Sequence, residues 1–141
     1  MAAIDYREVR NYFRALLIPS LVSVSDFAFE DRPFTSSSDM YVSESIQILN
    51  EDKQYGGDST AMELLITYNV IHKNNQKNNR IEDIEDLRES IINVFNSLRT
   101  FQLPGSGDSV AIMSYSRRVG VDASVGARFS PIDIVVRIYK D

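Results

Sequence analysis

Between Met40 and Ile71 the chain twice alternates apolar and polar residues with a period of two, the tightest constraint on its fold. That period belongs to a β-strand, whose successive side chains point to opposite faces. In the first run Met40, Val42, Glu44, Ile46 and Ile48 share one face, interrupted only by the Glu44 carboxylate. Tyr41, Ser43, Ser45, Gln47 and Leu49 share the other. In the second run, from about Ala61 to Ile71, Met62, Leu64, Ile66, Tyr68 and Val70 take one side, and Glu63, Thr67 and Asn69 the other. Between them Asn50-Glu51-Asp52-Lys53-Gln54-Tyr55-Gly56-Gly57-Asp58-Ser59 reads as a charged hairpin loop whose paired glycines admit positive φ angles. Two half-apolar faces need a cover.

The cover is predicted immediately downstream. Ile84, Leu87, Ile91, Val94, Phe95 and Leu98 fall at the spacing of a helix buried along one stripe. Glu82, Asp83, Glu85 and Asp86 crowd its start and Arg99 lies near its end, the polarity that the helix dipole favours. The acidic cluster is read as a solvated helix start and not as a metal site. Leu103-Pro104-Gly105-Ser106-Gly107 is expected to stop the helix. A first helix is predicted over residues 5–18, with Asp5 as N-cap, Glu8 reaching back in a capping box, and Pro19 as terminator. Val9, Tyr12, Phe13, Leu16 and Leu17 line its apolar side; Arg7, Arg10, Asn11 and Arg14 line its polar side.

The remaining segments are weaker. Leu21 to Phe34 holds hints of a short extended piece, Thr35–Asp39 reads as a polar loop, and His72–Arg80 reads as an exposed polar connector. Val110–Tyr115 is apolar enough for a buried strand, and Ser116–Phe129 fits either an extended arm or a loop with strand ends. Ile132, Ile134, Val136 and Ile138 alternate with Asp133, Val135, Arg137 and Tyr139 in a final strand. The order predicts one α+β domain over residues 1–141, a mainly antiparallel sheet with a long hairpin packed against two amphipathic helices.

Composition narrows the function. At 141 residues the chain has length for one domain with a real core. Fifteen Lys and Arg against 20 Asp and Glu leave a net charge of −5, which argues against general nucleic-acid binding, since phosphate affinity rests on clustered cations. The chain has no cysteine, so it has no thiolate ligand or nucleophile. No run is long enough to span a membrane and no signal segment is read, so the expected place is a cytoplasm, or export as part of something larger. Gly105-Ser106-Gly107 lacks the lysine and strand-to-helix context of a phosphate loop. His72, the only histidine, makes a hydrolytic triad improbable. Glu44 and Glu63 would form a carboxylate pair only if hairpin register and face agree. No catalytic, cofactor-binding or metal-ligating set is read.

The layout as a whole resembles the tail terminator, or tail completion, proteins of long-tailed bacteriophages. It shares with them an N-terminal helix, an acidic long-looped hairpin, a polar connector, a helix with early carboxylates and a terminal strand pair. The likeness covers nearly the whole chain, with its core in Asp39–Arg99 and Val110–Tyr139, and is one of length, order and patterning. It implies a non-enzymatic virion protein without cofactor, made in the host cytoplasm, that forms a ring of about six copies. The ring caps the tail tube, ends its polymerisation and docks the head or neck, while DNA passes through without sequence-specific contact and no membrane is involved. On that reading Glu51, Asp52, Lys53 and Tyr55 of the hairpin, with Arg7, Arg10 and Arg14 of the first helix, are candidates for a subunit or tube interface. Arg117, Arg118 and Arg128 are candidates for a channel or subunit surface. A head-closure or neck adaptor on the portal side, and a small ligand-binding or enzymatic α+β domain, are the alternatives.

Overall fold

Each alternating run forms a strand, and both are longer than their apolar stretches. The computed structural model describes residues 4–21, 40–53, 59–73, 81–117, 122–124 and 127–141. The elements are α1 (Tyr6–Leu21), β1 (Met40–Lys53), β2 (Ser59–Lys73), α2 (Ile81–Asn96), β3 (Thr100–Gln102), β4 (Ser109–Arg117), β5 (Asp122–Ser124) and β6 (Ala127–Tyr139). Six strands make one sheet in the order β1-β2-β6-β4-β3, with β5 also paired to β6, and every pairing is antiparallel. The fold is α+β, as the sequence predicts. The expected extended piece within residues 22–34, the loop at 35–39 and residues 74–80 of the connector lie outside the described residues, while the first two connector residues, His72 and Lys73, belong to β2.

The core forms between one face of the sheet and the helices. Val9, Phe13 and Leu17 of α1, four residues apart, are wholly buried, as are Ile91 of α2 and the inward row Leu64, Ile66, Tyr68 and Val70 of β2. Ile132, Ile134, Val136 and Ile138 of β6 complete that row. Phe13 meets Phe95 edge-on at 5.1 Å between centroids and Tyr12 stacks on Phe101 at 4.5 Å, tying α1 to α2 and β3. Leu87, Ile91 and Phe95 are buried as expected, and Arg88 is buried with them, its Nη1 donating to Ser130 Oγ at 3.2 Å.

Several local expectations are corrected. α1 continues two residues past Pro19, because a proline in a last turn removes a single ladder bond. α2 ends at Asn96, so Arg99 lies three residues beyond it. Leu103–Gly107 is not the helix stop: it turns β3 into β4, with Leu103 N donating to Asp108 O and Gly107 N to Leu103 O. Asp5 does cap α1, its Oδ1 accepting from Arg7 N at 3.0 Å, but Glu8 does not reach back. Its Oε1 accepts instead from the backbone N–H groups of Gly105 and Ser106, both at 3.0 Å. That hairpin turn offers Glu8 two donors where a capping box offers one.

Three register shifts interrupt the described ladders, one of them between Asp52 and Lys53 at the hairpin end. In β1 the register jumps between Ile48, opposite Leu64, and Asn50, opposite Glu63. One extra residue reverses which face each later side chain takes, so Asn50 and Asp52 reach the open face of the sheet although they continue the even-numbered series. In β4 the same occurs at Met113, between Ile112 opposite Val136 and Ser114 opposite Val135. Pro131 is accommodated where the described partner on the β4 side of β6 changes from Arg117, opposite Ile132, to Asp122, opposite Phe129.

Candidate functional site

The arginines of α1 do not act as one surface. Arg7 stays at the helix start, where its Nε donates to Asp5 Oδ1 at 2.9 Å and holds the Asp5 carboxyl below its ordinary range. Arg10 is half-buried and its Nε has no hydrogen-bond partner among the described residues. Arg14 turns inward: Nε and Nη2 donate to Glu44 Oε1 at 3.0 and 2.8 Å, and the Glu44 side chain is only 2% exposed. The carboxylate that breaks the inner row of β1 is thus neutralised by the helix lying over it. Arg14 is engaged within the chain by this pairing, with its side chain 27% exposed. Tyr68, opposite Glu44 in the ladder, is buried with its hydroxyl lacking a hydrogen bond of ordinary geometry. Burial first, then the Glu44 charge, pushes its phenol well above the usual tyrosine range.

Glu44 and Glu63 do not pair. Glu44 stands opposite Tyr68 and Glu63 opposite Asn50, on different faces. Glu63 joins the open face instead, where Arg137 Nη2 donates to Asp52 Oδ2 at 2.7 Å and Nη1 to Glu63 Oε2 at 3.5 Å.

Glu51, Asp52 and Lys53 are residues of β1 and not of a loop, a further correction of the hairpin boundary. They stand at one end of the sheet, where Asp52 pairs with Ala61 and Ala61 with Tyr139. Arg128 stands at the other end, opposite both His72 and Ala123, and Arg117 is opposite Ile132. From Ala61 to His72 the strand advances roughly 36 Å at about 3.3 Å per residue, so the acidic and arginine-bearing sets lie at opposite ends of the strands. Tyr55 and Arg118 lie outside the described residues.

What the fold does bring together is unsatisfied sheet edge and exposed apolar surface. Among the described residues no strand pairs with the outer edge of β1, along which Ile48 and Leu49 are 46% and 44% exposed. On the other side of the sheet β3 covers only Ser109–Ala111 of β4. Ile112 N still donates to Arg99 O at 2.8 Å, and beyond it no described residue pairs with this edge. Here α2 and β4 diverge into a groove of about 500 Å³, with Phe95, Leu98 and Ile112 in its walls, Arg99 at the rim and Met113, 56% exposed, on the strand side. Tyr115 closes one end by donating its hydroxyl to Asn96 Oδ1.

Comparison with known proteins extends the fold and adds nothing on function. No protein-family model and no curated protein matches the sequence. Sixteen chains among solved structures do match. One of them, whose name carries no functional word, is similar over 99% of both chains, with a TM-score of 0.66 and 12% identity. At that identity the likeness is one of fold alone.

The arrangement suits protein–protein contact. Open edges supply backbone donors and acceptors, and exposed Ile48, Leu49, Met113 and Tyr115 supply apolar area. Sequence reasoning passed over all four residues. Ile48 and Leu49 sit in an alternating run that reads as half-buried, and Met113 and Tyr115 in a run that reads as wholly buried. Only the bulges and the shortness of β3 turn them out, and no residue pattern announces either.

Proposed function

We propose that this chain is a structural protein of long-tailed bacteriophages, a tail terminator that forms a ring of about six copies on the end of the tail tube. It has no enzymatic role on this reading. The ring ends tube polymerisation, offers its far surface to the head or neck, and lets DNA through its channel without reading sequence. The observation that carries the reading is a single antiparallel sheet with two different edges, β1 and the far half of β4, that no described residue pairs with, each bearing exposed apolar residues. A ring requires heterologous contacts, one patch meeting a different patch on the next copy. Two unlike edges on opposite sides of one sheet meet that requirement, whereas a single sticky edge favours a closed dimer.

Glu51 and Asp52 mark one end of the strands, where Arg137 pairs with Asp52, and Arg128 marks the other; on this reading one end meets the tube and the other the neck or the DNA. The test is mass in solution by light scattering over a wide concentration range, then negative-stain imaging with purified tail tubes. Rings, or monomers that assemble only on tube ends, are expected. Binding to portal complexes with indifference to tubes transfers the protein to the head-closure or neck position. A strict monomer that engages neither overturns the proposal.

A further inference from the structure

We infer that the free protein pairs with a second copy of itself through β1, the two strands running antiparallel about a two-fold axis at Gln47. The pairing concerns the free chain; only its consequence for assembly rests on the ring reading above. Among the described residues no strand pairs with the outer edge of β1. Along that strand the side chains change character at Ser45. Val42, Ser43 and Glu44 are buried, whereas Ser45 and Gln47–Asn50 are exposed, with Ile46 half-buried among them. Side chains of both sheet faces reach solvent here, so this stretch is the accessible part of the edge.

Its composition is the second argument. Sheet edges are commonly guarded by lysine, proline or a charge, and a short uncharged segment without such guards is prone to pair with another strand. Ser45-Ile46-Gln47-Ile48-Leu49-Asn50 holds no charge and no proline. Glu44 bounds it on one side, and Glu51, Asp52 and Lys53 bound it on the other.

The sheet faces fix the register. Ile46 and Ile48 lie opposite Ile66 and Leu64, on the helix-facing side, and Gln47 lies opposite Leu65 on the open side. A two-fold axis normal to the sheet keeps each face with its like. Centred on Gln47, it sets Ile46 beside Ile48 of the second copy, Ile48 beside Ile46, and Gln47 beside Gln47. Two apolar pairs then form on the helix-facing side, where Ile48 is otherwise 46% exposed. On the open side a side-chain amide both donates and accepts, so two glutamines related by symmetry can bond to each other. Two lysines or two glutamates at that position would repel. The bulge at Leu49 ends the ladder on each side. Glu51 of one copy stays roughly 26 Å from Glu51 of the other at about 3.3 Å per residue, so like charges do not meet.

The ring reading draws on this same edge. A β1 paired with its own copy is withheld from a neighbour in a ring, so the free protein is held back from closing until a tube end displaces the second copy.

The chain has no cysteine, so a single substitution reports on this joint without background. Gln47→Cys, oxidised under native conditions, is expected to give a covalent dimer, since its two copies face each other at disulfide distance. Ser45→Cys is expected to give none, because its two copies stand roughly 13 Å apart along the ladder. Ile48→Lys is expected to weaken the dimer at least about tenfold in light scattering, with circular dichroism unchanged, as lysine guards the edge on both copies. The oxidised Gln47→Cys dimer is expected not to cap tube ends until it is reduced. A parent chain that stays monomeric up to about 1 mM, or Ser45→Cys cross-linking as readily as Gln47→Cys, overturns the two-fold joint and leaves the ring reading standing. Capping by the oxidised dimer overturns the holding role. A dimer in this register that forms no ring and engages no tube end, oxidised or reduced, keeps the joint and overturns the ring reading.

Discussion

Arg14 on α1 and Glu44 on β1 are 30 residues apart and joined by two hydrogen bonds to a single carboxylate oxygen, Glu44 Oε1. The second oxygen, Oε2, is buried without a hydrogen bond. Removing the arginine leaves a desolvated charge, which typically costs about 3–5 kcal/mol. Arg14→Ala is therefore expected to lower the unfolding free energy by about 3 kcal/mol in a denaturant titration. Replacing both residues by leucine is expected to cost much less than the sum of the single changes. Equal additive losses would show that the two groups do not depend on each other.

Tyr68 makes the same region sensitive to alkali. Its phenol is raised in the folded state, so between the ordinary tyrosine pKa near 10 and the folded value the native chain holds a proton that the unfolded chain releases. Stability from this group is full below about pH 10 and falls as pH rises beyond it, by up to about 1.4 kcal/mol per pH unit. Tyr68→Phe removes that slope. Because the hydroxyl makes no hydrogen bond of ordinary geometry, the variant is expected to match the parent within about 1 kcal/mol at pH 7 and to exceed it at pH 11. Parallel titrations across that range check the sign.

The turn from β3 to β4 is held from outside. Glu8→Ala strips an acceptor from the Gly105 and Ser106 N–H groups and is expected to cost about 1 kcal/mol, with Glu8→Gln intermediate. Gly107 has φ +76°, and an added Cβ would lie 2.9 Å from Asp141 Oδ2. Gly107→Ala is expected to cost about 1–2 kcal/mol, since alanine resists positive φ. Thermal midpoints of the three variants, ranked, test the assignment.

Arg137 is the contrasting case. It bridges Asp52 and Glu63 on the open face and also lies over the Tyr139 ring at 5.5 Å. Solvent screens this cluster, so Arg137→Met is expected to cost under about 1 kcal/mol, a difference that shrinks in 1 M salt. A loss as large as that of Arg14→Ala would mean that the open face is less solvated than its exposure suggests.

The sequence carried the parts of this fold that repeat. Leu64, Ile66, Tyr68 and Val70 were legible as one inward row, and Val9, Phe13 and Leu17 as one helical stripe, because burial imposes a period. Glu44 was legible as an interruption, but its partner was not: nothing local says that Arg14, among three arginines on one helix, is the one that turns in. The bulges at Leu49 and Met113 were hidden for a related reason. A bulge is decided by how two strands match, and each strand alone reads as regular. β3 was hidden by its three residues, too few to show a period. The candidate interface therefore shifted from a charged loop to two edges and a groove.

The tie from Glu8 to Gly105 and Ser106 spans 97 and 98 residues, and the apolar stripe of α1 finds Phe95 and Phe101 at a similar remove. A ribosome adding about 5–20 residues per second delivers those partners roughly 5–20 s after α1. During that interval Val9, Phe13 and Leu17 lack the α2 and β3 part of their native cover, and on a polysome many such helices wait side by side. Chain synthesis, then, sets a period in which this helix is open to neighbours before its own fold claims it, and its protection in that period falls to chaperones or to the pace of translation.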